Sequence, residues 1–123
     1  MLDKTIVREI AIKYSNEVKR IINPDKIILF GSYVNGVPHE DSDIDIAVLV
    51  SDLDSETWYN SRILLQRIKR NKEYIDIEPH LLDENNDPSG FVKYVIKAGE
   101  IIYQHGVWNL NHINKRFGDP EKL

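Results

Sequence analysis

The sequence predicts one α/β (α+β) domain, a short β-sheet packed against helices. Three patterns predict it. The N-terminal stretch repeats apolar residues at helical spacing. Two apolar runs, Lys26–Phe30 and Ile44–Val50, are too short for helices and are bounded by turn residues. A third run, over 74–82, alternates with the period of two that belongs to a strand. With 123 residues, one core is feasible and two are not expected.

In order along the chain, Leu2, Ile6, Ile10, Tyr14, Val18 and Ile22 recur every four residues, with Val7, Ala11 and Ile21 beside them. That spacing predicts an amphipathic helix, stopped by Asn23-Pro24-Asp25. The first strand follows, Lys26-Ile27-Ile28-Leu29-Phe30, and Gly31-Ser32 ends it. Tyr33-Val34-Asn35 opens a short helix, and 36–41 is a loop in which His39 is read as a loop residue. The second strand is 44–50. Asp54 or Ser55 caps a helix carried by Trp58, Ile63, Leu64, Leu65 and Ile68 to about Arg70. Its basic far face, Arg62, Arg67, Lys69 and Arg70, reads as solvated. In the third strand Ile75, Ile77 and Pro79 share one face, and Asp76, Glu78 and His80 the other. Pro79 cannot donate to a ladder, so this strand is expected at a sheet edge. A polar loop over 83–89 leads to a short helix with Phe91, Val92, Val95 and Ile96, ended by Gly99. Ile101-Ile102-Tyr103 is a last short strand. The domain is expected over 1–105. The tail, 106–123, carries Val107, Trp108, Leu110, Ile113 and Phe117. It is expected either to pack back as a short helix or to dock a partner.

The chemistry is concentrated between Ile28 and Val50, which read ILFGSYVNGVPHEDSDIDIAVLV. On a strand, residues two apart share a face, so Asp43 and Asp45 point the same way, with Cα atoms about 6.5–7 Å apart. Two carboxylates in one place repel, and a fold tolerates them when cations sit between. Hard oxygen donors at this separation suit a pair of Mg²⁺ ions, the arrangement used in phosphoryl and nucleotidyl transfer. Gly31 allows a close approach to a ligand. Ser32 adds a hydroxyl, and the short helix after it aims free N–H groups at an anion. A Gly-Ser pair or an Asp-x-Asp pair alone is weak evidence. The two together, on successive apolar strands and separated by ten residues, point to a phosphate cradle beside a metal clamp.

Gly31-Ser32, ten residues, and Asp43-x-Asp45 resemble the signature of the polymerase-β-type nucleotidyltransferases. The wording GSYVNG…DSDIDIAVLV is similar to the minimal nucleotidyltransferases, the MNT antitoxin group. The resemblance implies a nucleotidyltransferase fold with a short mixed sheet. It implies nucleotide binding at Gly31, Ser32 and Gly36, and catalytic metal ligands at Asp43 and Asp45. The third carboxylate it calls for is Asp76, with Glu78 as fallback. His80 at the strand end is a further, weaker candidate ligand. The implied cofactor is Mg²⁺, two ions, with Mn²⁺ as an alternative. The one departure is Asn35, where many relatives carry Arg before the second glycine.

The function this implies is transfer of a nucleoside monophosphate, AMP from ATP or another nucleoside triphosphate, to a hydroxyl of a partner protein. The implied partner is a HEPN-type toxin. After the third strand only about 40 residues remain, so a second copy or another protein is expected to complete the cleft. Two alternatives stay open: a non-catalytic antitoxin that acts by covering its partner, and a small-molecule nucleotidyltransferase. A net charge of −4 argues against direct nucleic-acid binding. With no cysteine there is no thiolate metal site. No apolar run is long enough to span a membrane, and a cytoplasmic location is expected.

Overall fold

The computed structural model of the chain describes residues 2–106. The tail expected to form a helix or docking segment lies outside the described residues, apart from Gly106, which follows the last strand. Helix α1 spans Lys4–Ile21, β1 Lys26–Phe30, α2 Ser32–Asn35, β2 Ile44–Val50, α3 Ser55–Lys69, β3 Ile77–Asp83, α4 Phe91–Ala98 and β4 Glu100–Gln104. The four strands form one mixed sheet in the order β3-β2-β1-β4. Strand β1 pairs antiparallel with β2 and β4, and β2 pairs parallel with β3. The expected fold class, strand bounds of β2 and edge position of the third strand all hold.

Alternation along the central strands sorts two apolar layers. Ile27, Leu29, Ile44, Ile46, Val48 and Val50 face α1 and α3, where Val7, Tyr14, Val18 and Leu65 complete the larger core. Ile28, Phe30, Ala47 and Leu49 face α4, where Val92 and Val95 cover them. Central strands buried on both faces read as continuous apolar runs, which is why both were legible. Asp3 caps α1 by accepting from the Thr5 N–H, and Asp54 caps α3 by accepting from the Thr57 N–H.

The buried stripe of α1 differs from the sequence expectation. Val7, Ala11, Tyr14, Ser15 and Val18 are buried, whereas Ile6 and Ile21 are about half exposed. A strict four-residue repeat gains roughly 40° per step on a helix of 3.6 residues per turn. The chain of fours therefore crosses the core face obliquely: Ile6 lies off it, Tyr14, Val18 and Ile22 lie on it, and Val7 and Ala11 fill it nearer the N-terminus.

The third strand is also shorter at its start than expected. Residues Lys72–Tyr74 form a 3₁₀ turn and β3 begins at Ile77. The alternation therefore does not extend back to Ile75, which is 65% exposed. Tyr74 is buried instead, packing edge-on against Tyr14 with ring centroids 5.5 Å apart. The Tyr14 hydroxyl donates to the Leu65 carbonyl at 3.0 Å and ties α1 to α3. Burial raises the Tyr14 phenol well above its ordinary range and raises Tyr74 in the same direction. Among the described residues no helix is long and apolar enough to cross a membrane.

Candidate active site

Strand β1 ends at Phe30 because Gly31 turns the chain with φ +88°, a conformation that favours glycine. A second constraint acts at the same residue. A Cβ placed on Gly31 would collide with Oδ2 of Asp45. The turn and the carboxylate are therefore packed directly against each other. Beyond it, α2 is a single short helix. The Val34 and Asn35 N–H groups bond to the Gly31 carbonyl, and the Gly36 N–H bonds to Ser32 at 3.2 Å. The first N–H groups of a helix have no partner within it, so those of Ser32 and Tyr33 are left without a helical partner. A Cβ on Gly36 would press on Ser32 Cα at 3.1 Å, so Gly36 keeps α2 compact behind Ser32. Asn35 is exposed at the end of the helix.

The sheet register sets the rest. Phe30 pairs with Asp45, and Asp45 with Glu78. These three side chains form one rank across β1, β2 and β3, on the α4 face. The next rank is Ile28, Ala47 and His80. Asp45 is half-buried at the rim of the apolar α4 layer. Its Oδ1 lies 3.1 Å from His80 Nε2, and the His80 ring meets the Phe30 ring edge-on at 5.1 Å. Glu78 faces Lys69 of α3 at 3.7 Å.

Asp43 lies one residue before β2 and is exposed. Asp76 is exposed and lies one residue before β3, and its carbonyl accepts from the Ile44 N–H at 2.8 Å. Since Ile44 pairs with Ile77, the same register carried one step back sets Asp76 beside Asp43. The three aspartates thus leave neighbouring backbone positions at one end of β2 and β3. Their carboxylates do not converge: among the described residues no three His, Asp or Glu side chains come together closely enough to hold a metal ion. Asp45 is engaged with His80, and the other two are exposed. The donor chemistry, hard carboxylate oxygens from adjacent strand ends, suits Mg²⁺.

Two features escaped the sequence. The Asp45–His80 hydrogen bond depends on the register of two strands and joins residues 35 apart in sequence, though His80 had been noted as a candidate ligand. A cleft of about 690 Å³ opens between α3 and the outer edge of β3, lined among others by Arg62, Arg70, Glu78 and His80. The two arginines had been assigned to a solvated face. His39 stays in its loop, where its Nδ1 accepts from the Asp41 N–H.

Comparison with known proteins places this geometry. The family model "Polymerase beta, Nucleotidyltransferase" matches residues 11–106. No curated protein sequence matches the chain. Among solved structures, a candidate nucleotidyltransferase from Sulfolobus solfataricus has a similar fold, with a TM-score of 0.63 and 20% identity over 87% of this chain and 89% of that one. A toxin-antitoxin crystallised with AMP-PNP is similar at a TM-score of 0.54 and 24% identity, covering 90% of this chain and 87% of that one. An MntA-HpeT toxin-antitoxin mutant, with two aspartates changed to glutamate, gives 0.53 and 23% over the same shares. With a family model spanning most of its length and a fold to match, the chain belongs to the polymerase-β nucleotidyltransferase family.

Proposed function

We propose that this chain transfers a nucleoside monophosphate, AMP from ATP, to a hydroxyl on a partner protein, and serves as the antitoxin of a HEPN/MNT pair. The observation that carries the reading is the packing of Gly31 against Asp45. A turn suited to phosphate and a carboxylate suited to metal are held in contact by neighbouring antiparallel strands. The similarity to the MntA-HpeT and AMP-PNP-bound toxin-antitoxin structures favours a protein acceptor and an adenine nucleotide.

In this reading the backbone at Gly31 and the Ser32 hydroxyl hold the triphosphate, with Gly36 keeping α2 in place. Asp43, Asp45 and Asp76, with Glu78 in reserve, would hold Mg²⁺, which when bound neutralises phosphate charge and favours ionisation of the acceptor hydroxyl. The acceptor oxygen forms a bond to the α-phosphorus. The bond from that phosphorus to the bridging oxygen breaks, and pyrophosphate leaves with the electron pair. The acceptor proton passes to the Asp76 carboxylate and then to solvent. A tyrosine, with a pKa of about 10, is the easiest hydroxyl side chain to deprotonate.

The test is co-expression with the protein encoded beside it, followed by intact mass spectrometry of that protein. A mass gain of one AMP is expected, and Asp45→Asn or Asp76→Asn should lower its rate by roughly 10³-fold, the scale of losing one group that stabilises transition-state charge. The Asp45–His80 hydrogen bond favours one competing reading, a carboxylate retired to a structural role in a binding antitoxin. Neutralisation of the partner without any mass gain, unchanged in both variants, would establish that reading instead.

A further inference from the structure

The cleft between α3 and β3 lies on one particular side of the site. Gly31 and α2, which the proposed function assigns to the nucleotide, follow β1 on one flank of Asp45. The cleft begins on the other flank, at Glu78, the ladder partner of Asp45, and at His80, which contacts Asp45 directly. Asp76, the candidate base, is two residues upstream of Glu78. The cleft therefore borders the strand that Asp76 precedes.

Its dimensions suit a polypeptide. The wall from α3 runs from Trp58 to Arg70, roughly 18 Å at 1.5 Å per residue. That length accommodates about five residues of extended chain. Trp58 and Leu81, both half-buried, line the cleft together with the polar groups of Gln66 and His80.

Its charge is biased. Arg62 and Arg70 are exposed and line it, and neither forms an ion pair among the described residues. The one carboxylate in the lining, Glu78, already faces Lys69. This is a cationic groove on a chain whose net charge is −4. Two arginines are too few for the multiple phosphate contacts that dominate nucleic-acid affinity. They do match a short acidic segment, which the rest of this surface would repel.

We infer that the α3–β3 cleft docks the acceptor, and that the acceptor segment is an acidic stretch of polypeptide flanking the modified hydroxyl. This rests on the transferase reading for what happens after docking, but the docking is measured without nucleotide. The probes are random copolymers of Glu and Tyr and of Lys and Tyr, followed by fluorescence anisotropy with the full chain. The Glu-Tyr polymer should bind and the Lys-Tyr polymer should not. Arg62→Glu/Arg70→Glu should weaken binding at least about tenfold by placing like charges against the probe. Arg67→Glu/Lys97→Glu changes charge equally at exposed positions outside the cleft and should weaken it much less. Circular dichroism on both variants checks the fold. Equal loss in the two double variants, absence of binding, or tighter binding of a single-stranded RNA of similar charge would each overturn the inference. With ATP and Mg²⁺ added, specific binding without AMP on tyrosine would overturn the transferase reading and leave the docking site standing.

Discussion

The two halves of the sheet are built differently although both border the same site. In β1 and β2, every residue from Ile27 to Phe30 and from Ile46 to Val50 is buried. In β3 only Ile77 is buried, and Glu78 to Asp83 are all half-exposed. The central strands are clamped between α1, α3 and α4. The edge strand has a ladder partner on one side only and opens into the cleft. A transferase must hold the phosphates rigidly, because small misplacements of a reacting group are costly. Its acceptor side must admit a partner. In the proposed reaction Asp45 would act from a buried strand and Asp76 from just before the open one.

Truncation at equivalent layers would measure this contrast. Ile46→Ala, in the fully buried centre, should cost about 2–5 kcal/mol. Leu81→Ala, on the same face of the edge strand, should cost less than about 2 kcal/mol, since its side chain is only partly removed from water. Urea unfolding of both gives the comparison. Equal losses would mean that the edge is as tightly packed as the centre.

Next in size is Gly31→Ala. A methyl group there meets a positive φ and the Asp45 carboxylate at once. A strained backbone position costs on the order of 1–3 kcal/mol, and Asp45 must shift. Stability should fall modestly, while ATP affinity, read by calorimetry, should fall further than in Ser32→Ala, which loses about 1 kcal/mol of hydrogen bonding. Full nucleotide affinity in Gly31→Ala would remove the phosphate from this turn.

Local rules made much of this legible. The bounds of β2, the stop at Gly99 and the edge position of β3 follow from apolar run length, cap chemistry and the missing donor of Pro79. The pairing of a Gly-Ser turn with Asp-x-Asp pointed to the site. What escaped was set by distance in sequence. Nothing near residue 31 indicates that its Cβ would strike Asp45, because that depends on the antiparallel register of β1 and β2. The Asp45–His80 contact likewise needs the parallel register of β2 and β3. Ile75 fitted the alternation until a 3₁₀ turn, anchored by burial of Tyr74, broke it. Arg62 and Arg70 could be recognised as cleft residues only once α3 lay beside β3.

The smallest expected effect concerns how α4 is fastened over the rigid half. Gly90 precedes α4 and offers no side-chain cap. Asp87 reaches across instead, accepting from the Val92 N–H at 2.9 Å and the Lys93 N–H at 3.0 Å. The Val92 bond, first among these, holds its carboxyl below the usual carboxylate range. A carboxyl whose folded pKa is depressed stabilises the fold above its unfolded pKa, about 4. That stabilisation is lost as pH falls through the lower folded value. Asp87→Asn removes the charge at every pH, so the variant should be slightly less stable than the parent near neutrality and should converge with it in acid. Thermal midpoints measured from pH 7 down to pH 3 would trace the convergence. Because Asp87 is only half-buried the gap will be small, and Asp54→Asn, at a capping aspartate lowered in the same way by the Thr57 N–H, provides the matched control on the helix beside the open edge. A gap that closes at Asp54 but persists in acid at Asp87 would mean that Asp87 fastens α4 by shape rather than by charge.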